Sequence, residues 1–456
     1  MLIILILITG LFVYLNFHLS GRDVADPSLL FCLSFLAFEL ICFMGSTAYD
    51  VVINPETVLV IGFGMLCITG VSLYARRNQD GYELHALDEK TVYKLSNIVV
   101  IIVICIQCVT IVTFINYLLR LYVASTGNEG SISDAINNYD QLNKFDTTRL
   151  DALNVDNGSL FRKSNLISNC VPYVILFVLI NNFISARKFN LLQAVSVVLL
   201  AIQTVITGGR SGLFSMFTFV LIELAVISFR KAFKVGNGAQ IVIKIVIVTV
   251  LVGFFLIVVM KVMGRSLPSN LAEYLFVYFG APIDNLDNYI ARGALRVHTD
   301  VPGEYSLNGI YRYFYDKGIL NSIGRVTDVL PFVRSPNGKN EGNVYTMFYF
   351  WLIDFGYLGL LPMMLVYSFC YVFVYRNAYK NHEGRFNYSL FLYAYMINSL
   401  IMSPFSNRFY EEIITVSFAK KLLITFVFVV LFVDKKIKIF DNLIQLGNIR
   451  LKESIK

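Results

Sequence analysis

Long uninterrupted apolar stretches constrain this chain more than any other feature of its sequence. About eleven of them approach the roughly 20 residues that a helix needs to cross a bilayer core. Charged residues make up only 15% of the chain, whereas a soluble domain has about a quarter. A soluble enzyme, a nucleic-acid-binding protein and a disordered chain are therefore excluded. The stretches are 1–17, 28–45, 57–75, 98–119, 166–185, 189–207, 211–229, 241–263, 344–375, 388–403 and 413–433.

These stretches predict one all-α polytopic integral membrane domain over residues 1–456, with about eleven (ten to twelve) transmembrane helices. The first stretch has no basic region before it and no small-residue cleavage site after it, so we interpret it as a retained span rather than a signal peptide. All seven cysteines lie in apolar stretches, which predicts neither disulfides nor a metal site.

Basic residues in alternate loops predict the orientation, because cytoplasmic loops are enriched in Lys and Arg. The short loops of the opposite set, 46–56, 208–211 and 404–412, contain only Arg210 and Arg408. We therefore expect the N-terminus outside and a basic cytoplasmic tail at 434–456. The predicted cytoplasmic loops carry Arg22, Arg76, Arg77, Lys90, Lys94, Arg187, Lys188, Arg230, Lys231, Lys234, Lys244, Arg376, Lys380 and Arg385.

Two predicted outward loops are long, residues 120–165 and residues 264–343. Loops of this size usually have structure or a function of their own. The second contains aromatic-rich segments that we predict to be helical, at 274–280 and 311–318, between several prolines. Its aromatic side chains suit either sugar stacking or a small core of the loop, and they include Tyr305, Tyr311, Tyr313, Phe314 and Tyr315.

Arg210 lies in the sequence TGGRS, in a very short outward turn between two apolar stretches. The adjacent glycines permit close approach of a ligand to backbone N–H groups. The helix that follows directs the partial positive charge of its N-terminus to the same place. Because an arginine binds phosphate with two donors, this pattern favours a phosphate site over an arginine that snorkels to lipid headgroups.

The outward hairpin SPFSNRFYEE places Arg408, Tyr410, Glu411 and Glu412 within five residues at the membrane edge. This combination offers an anion site beside a general base. The alternative is an Arg–Glu ion pair that only closes the hairpin. Arg265 directly follows the stretch 241–263 and is another candidate for binding a phosphate. Arg292 and Arg325 are further substrate-binding candidates in the large loop.

Charged residues also fall inside apolar stretches, where they usually face a cavity or a partner. Asp354 stands in the sequence WLIDFGYLG, in an apolar run too long for one straight span. We predict a break near Gly356, with residues 344–354 forming a short helix that faces the large loop. Lys420 and Lys421 either approach an outer-leaflet diphosphate or snorkel outward, and the sequence does not decide between them.

Motifs for nucleotide chemistry are missing from the sequence, which has no Walker motif, no HExxH and no DxD in an outward loop. Together with the outward arginines, this order of motifs resembles the Wzy-type polymerases of O-antigen and capsule repeat units. The matching segments are TGGRS at 207–211, YFGAPIDNLDNY at 278–289, NVYT at 343–346, DFGYLG at 354–359 and the RFYEE hairpin, within residues 90–430.

The resemblance implies a metal-independent glycosyltransferase of GT-C-like architecture, without a cofactor, in the bacterial inner membrane. Its substrates would be undecaprenyl-diphosphate-linked oligosaccharides at the periplasmic face, with a flippase and a chain-length regulator as partners. Arg210 and Arg408 would act on the diphosphate with Arg265, and Asn343 and Tyr345 of the NVYT motif would bind substrate with Tyr410. The base would be Glu411 or Glu412, with Asp284 or Asp287 as weaker candidates.

Two rival functions remain open at this stage. An O-antigen ligase, which transfers glycan to lipid A-core, would use a loop histidine, and His298 is its candidate. A flippase or exporter would instead have charges spread through its spans. Charged and polar residues here concentrate outside the spans, which favours an enzyme acting at the membrane surface.

Overall fold

The computed structural model describes residues 1–77, 92–208, 211–233, 271–292, 301–320, 330–379 and 384–434. Within these ranges the chain is almost entirely helical. The first helices are α1 (Leu2–Leu19), α2 (Pro27–Tyr49), α3 (Pro55–Arg77), α4 (Asn97–Thr126), α5 (Ile132–Phe145), α6 (Thr147–Ala152), α7 (Ser159–Ser168), α8 (Val171–Ala186), α9 (Leu191–Ile206) and α10 (Ser211–Phe233). The later ones are α11 (Leu271–Leu275), α12 (Ala281–Ala291), α13 (Asn308–Asp316), α14 (Met347–Ala378), α15 (Tyr388–Ile401) and α16 (Val416–Phe428).

Seven helical segments in the described ranges are long and apolar enough to cross a membrane, and three shorter apolar helices accompany them. The chain is thus a polytopic, α-helical membrane protein. The long segments begin at Leu2, Pro27, Pro55, Asn97, Ser159, Met347 and Val416, and the shorter ones are Leu191–Ile206, Ser211–Ile227 and Tyr388–Ile401. The predicted span at 241–263 and most of the tail at 434–456 lie outside the described residues.

Those connections with predicted cytoplasmic charges that lie within the described residues meet at one end of the helix bundle, which we call the basic end. There the buried Asp23 accepts hydrogen bonds from the hydroxyls of Tyr375, at 2.5 Å, and Tyr379, at 2.6 Å. Arg76 forms an ion pair with Asp26 at 2.6 Å. Asp26 also caps α2, because its carboxylate accepts the N–H groups of Ser28 and Leu29. These contacts fasten the α1–α2 connection to the ends of α3 and α14.

The opposite end, which we call the outer end, gathers the hairpins around residues 50–54 and 402–415 with the large loop. Asp287 of α12 accepts hydrogen bonds from the backbone and side chain of Asn54 and from Thr57, at 2.6–2.8 Å. Because Asn54 and Thr57 flank the start of α3, Asp287 binds the large loop to the bundle. The predicted helical segments of this loop are confirmed as the π-helical turn Phe276–Gly280, which follows α11, and as α13.

The described residues also contain a small antiparallel pair of β-strands. The all-α prediction did not include it. It joins β1 (Val333–Arg334) to β2 (Asn340–Gly342), shortly before α14. The tip of this hairpin contacts the bundle, since the Asn337 amide donates to the carbonyl oxygen of Ala48 at 2.8 Å. The hairpin therefore lies against the outer end of α2.

The break predicted in the longest apolar run is confirmed. Gly356 has φ 61° and ψ −161° within α14, a region of backbone space that is essentially limited to glycine. The half-helix before the break faces the large loop, as expected. Its Asp354 accepts the backbone N–H groups of Tyr305, at 3.2 Å, and Ser306, at 2.6 Å. The buried Asp354 thus anchors the large loop.

Candidate active site

The π-helical turn Phe409–Ile413 at the outer end presents the predicted hairpin residues. It follows α15 and leads into α16, whose first turn is capped by the side chain of Thr415. Tyr410 points into the bundle, is buried, and donates its hydroxyl to the carbonyl oxygen of Met363 at 2.7 Å. Tyr410 therefore anchors the turn to the bundle. The side chains of Arg408, Glu411 and Glu412 are the ones available to contact a substrate.

Arg408 has a charged neighbour but few hydrogen bonds. Its Nη1 atom lies 3.5 Å from a carboxylate oxygen of Glu412, and its guanidinium carbon lies 5.7 Å from the ring centroid of Phe405. The arginine side chain is only 13% exposed. Its Nε and Nη1 atoms have no hydrogen-bond partner in the described part of the chain. Because buried donors are normally paired, this guanidinium is suited to an external anion.

Glu411 and Glu412 differ in environment. Glu412 is half exposed and belongs to the Arg408 ion pair. Burial raises the pKa of Glu411 to about 7, with a further rise from the charge of Glu412 and an opposing effect of Arg408. A carboxylate with a pKa near 7 can accept a proton at neutral pH and retain it. The structure therefore favours Glu411 over Glu412 as a base.

Helix α13 packs against this turn, and two lysines follow on α16. Lys420 places its ammonium group 5.2 Å from the ring centroid of Tyr313, and Lys421 lies near enough to Cys170 for its charge to act there. A methyl group at Gly309 would come within 2.7 Å of the side chain of Thr415, so glycine permits α13 to lie directly over the turn. Helix α13 therefore covers the turn, and Lys420 contacts an aromatic ring of that helix.

A hydrogen-bonded chain behind the turn was not anticipated from the sequence. The indole N–H of Trp351 donates to the side-chain oxygen of Asn407, and the Asn407 amide donates to the carbonyl oxygen of Ser306. Ser306 in turn donates its N–H to Asp354. The position of Asn407 next to Arg408 was the only available sequence signal. This chain connects Arg408 with the half-helix before Gly356.

The NVYT segment lies at the outer end beside α12. Tyr345 is buried, donates its hydroxyl to the carbonyl oxygen of Pro331 at 2.8 Å, and stacks on Tyr349. The charge of Arg292, which is exposed at the end of α12, acts on Tyr345. Asn343 is half buried in the connection between β2 and α14. The structure therefore brings Arg292 and Tyr345 together, apart from the turn at Phe409–Ile413.

Asp284 and Asp287, the weaker candidates for the general base, both contact other groups of the protein. Asp287 is engaged by Asn54 and Thr57, as described above. Asp284 lies close to the buried Glu341 of β2, and burial raises the pKa of both groups, with a further rise for Asp284 from the charge of Glu341. No sequence pattern pointed to Glu341, because the neighbouring Asp284 lies more than fifty residues away.

Several predicted site residues lie outside the described residues, namely Arg210, Arg265, Arg325 and His298. Gly208, at the edge of the described range before Arg210, lies against Asp140 of α5. Ser215 of α10 accepts a hydrogen bond from the Asn398 amide of α15 at 2.8 Å. The start of α10 is therefore at the outer end of α15.

Comparisons with known proteins return no match to a family model, a curated protein or a solved structure.

Proposed function

We propose that this protein polymerises lipid-diphosphate-linked oligosaccharide repeat units at the outer face of the cytoplasmic membrane, in the manner of the Wzy-type polymerases that its sequence resembles. The observation that carries the proposal is the buried Arg408 guanidinium, whose Nε and Nη1 lack hydrogen-bond partners among the described residues. It lies next to a carboxyl group whose pKa is about 7. An anion site beside a base suits displacement of a diphosphate by a sugar hydroxyl.

The reaction makes one bond and breaks one bond. The hydroxyl at the non-reducing end of a new lipid-linked repeat unit attacks the anomeric carbon of the growing chain. The glycosidic C–O bond forms while the bond from that carbon to the diphosphate oxygen breaks, and the electron pair leaves with the diphosphate. Glu411 takes the proton of the hydroxyl, and Arg408 stabilises the charge that develops on the leaving diphosphate.

The surroundings of the turn support this assignment of roles. Lys420, which contacts Tyr313 of the helix that covers the turn, is a candidate for further positive charge toward the leaving group. The ion pair with Glu412 holds the Arg408 side chain in position at 3.5 Å. Arg210 remains our candidate for the second diphosphate, because its turn precedes α10 at the same end of the bundle.

The test replaces Arg408 by Ala in host cells deleted for the native gene, and analyses surface glycan by gel electrophoresis. We expect the ladder of polymer to collapse to a single repeat unit on its acceptor. The matched control is Arg162→Ala, because Arg162 is an outward arginine in an ion pair with Asp156 but is 61% exposed. The control should keep a normal ladder.

Other outcomes distinguish the rival functions. Bare acceptor with polymer accumulating on the lipid carrier would indicate a ligase, and single repeat units trapped inside the cell would indicate a flippase. A normal ladder in the Arg408→Ala strain, with the variant present in the membrane in wild-type amount, contradicts the proposal.

A further inference from the structure

Five tyrosines from four segments converge at the outer end, and we call them the tyrosine cluster. Tyr345 and Tyr349 are stacked with ring centroids 4.0 Å apart, and Tyr289 meets Tyr349 edge to face at 4.7 Å. Tyr305 and Tyr357 lie close enough to Tyr289 to influence the ionisation of its hydroxyl, as the carboxylate of Asp354 does. The members are Tyr289 of α12, Tyr305 of the large loop, Tyr345 of the NVYT segment, and Tyr349 and Tyr357 of α14.

The cluster is not a closed aromatic core. Tyr289, Tyr305 and Tyr357 are each partly exposed, whereas Tyr345 and Tyr349 form a buried floor. The Tyr289 hydroxyl is enclosed and has no hydrogen-bond partner in the described ranges. By contrast, the hydroxyl of Tyr345 donates to a backbone carbonyl. An enclosed hydroxyl without a partner is unfavourable, so this position suits a ligand that supplies a polar group.

Charged groups at the border give the cluster a polar rim. The Arg292 charge acts on Tyr345, and the Glu56 charge acts on Tyr357. Aromatic faces, an unpaired hydroxyl and a mixed charged rim match a ligand with apolar C–H faces and many hydroxyls. A saccharide has this composition, whereas a lipid chain lacks the hydroxyls and a free phosphate lacks the apolar faces.

The cluster is also connected to the proposed diphosphate site. Tyr305 and Ser306 both donate their backbone N–H groups to Asp354. The carbonyl oxygen of Ser306 accepts the Asn407 amide at 3.1 Å, and Asn407 immediately precedes Arg408. Residues 305 and 306 of the large loop therefore link the tyrosine cluster to the hairpin that carries the guanidinium.

We propose that the tyrosine cluster is a saccharide subsite, which binds a sugar ring of the oligosaccharide while Arg408 holds the diphosphate. The sugar's C–H face packs on the exposed rings, and one of its hydroxyls pairs with the Tyr289 hydroxyl. The coupling to the diphosphate rests on the proposed function, whereas saccharide binding itself does not.

Binding at this subsite can be followed by the fluorescence of Trp351. It is the only tryptophan of the chain, and its indole N–H donates a hydrogen bond to Asn407. The experiment titrates the purified full-length protein in detergent with oligosaccharide fragments released from the host's own surface polysaccharide, free of lipid and diphosphate. Tryptophan fluorescence is recorded, and equilibrium dialysis with labelled fragments provides an independent readout.

We expect saturable binding to the wild-type protein and a Kd about tenfold higher for Tyr289→Phe, which removes only the hydroxyl. Tyr305→Ala should weaken binding as well. Tyr74→Ala is the matched control, since Tyr74 lies on α3 near the basic end and is 58% exposed, and it should bind as the wild type does. Thermal unfolding of each variant verifies that it is folded.

Two results overturn the inference. One is the absence of saturable saccharide binding to the wild-type protein by both readouts, and the other is equal binding by wild type, Tyr289→Phe and Tyr305→Ala. Arg408→Ala separates the subsite from the proposed function, because it should retain full binding of the lipid-free saccharide. A normal polymer ladder in Arg408→Ala cells would contradict the polymerase proposal and leave the binding result in force.

Discussion

Trp351 donates its indole N–H to the side-chain oxygen of Asn407 at 3.0 Å, within the buried interior of the outer end. The same Asn407 side chain donates to the carbonyl oxygen of Ser306 at 3.1 Å. One amide therefore joins the half-helix before Gly356, the large loop and the hairpin that carries Arg408.

Replacement of Asn407 by Ala should destabilise the protein by about 1–3 kcal/mol, because the indole N–H and the Ser306 carbonyl both lose their partner in a buried position. The measurement is the thermal unfolding midpoint of the detergent-solubilised protein. Asn128→Ala is the control, since Asn128 is exposed in the α4–α5 connection. Equal midpoints for Asn407→Ala and wild type would show that the amide is not a structural link.

Polymerisation should increase with pH through a midpoint near 7, because the ionised form of Glu411 is the proton acceptor and its pKa is about 7. Glu411→Gln should abolish this dependence together with most of the activity. The assay follows polymer formation from lipid-linked repeat units by the purified protein over a range of pH values.

Glu412→Gln provides a sharper form of this test. The charge of Glu412 raises the pKa of Glu411, so its removal should move the midpoint to lower pH while activity persists. Arg408→Lys keeps the positive charge and should move the midpoint little. A midpoint that is the same in wild type and Glu412→Gln would exclude Glu411 as the group that titrates.

Gly356→Ala should destabilise the protein by about 1–3 kcal/mol, since the φ/ψ values at this position are essentially restricted to glycine. No atom lies near enough to obstruct an added methyl group, so the effect would arise from the backbone alone. Gly62→Ala is the matched control, because Gly62 also has open space but lies within the regular helix α3. Urea or thermal unfolding of both variants provides the comparison.

The stability of the protein should depend on pH because of the buried Asp23 carboxyl at the basic end. Burial raises the pKa of Asp23 above its ordinary value, so its contribution to stability is greatest below the unfolded-state pKa of about 4 and is lost as pH rises through the folded-state pKa. Asp23→Asn keeps an acceptor for Tyr375 and Tyr379 but does not titrate. Its unfolding temperature relative to wild type should therefore increase from acidic to mildly basic pH.

A control for this comparison is Asp316→Asn, since Asp316 is exposed at the end of α13. Its unfolding temperature should stay parallel to that of the wild type over the same pH range. Parallel curves for Asp23→Asn and wild type would show that Asp23 is ionised at the same pH in the folded and unfolded protein.

Sequence patterns predicted the local features of the fold but not its long-range pairings. The 32-residue apolar run, with a glycine inside it, predicted the break at Gly356. A straight helix of that length is longer than the bilayer core is thick. The distribution of basic residues predicted which of the described connections meet at the basic end. The pairs Trp351–Asn407 and Asp284–Glu341 depend on how distant segments pack, and neither residue spacing nor hydropathy carries that information.

The shortness of α15 has a consequence for where the chemistry occurs. Its 14 residues extend about 21 Å, against a hydrocarbon core about 30 Å thick. A helix of this length does not cross the hydrocarbon core by itself, so in the proposed membrane arrangement the adjoining hairpin 402–415 would be immersed rather than raised above the surface. Under the proposed function, a lipid-borne diphosphate would then reach Arg408 by lateral diffusion without leaving the leaflet.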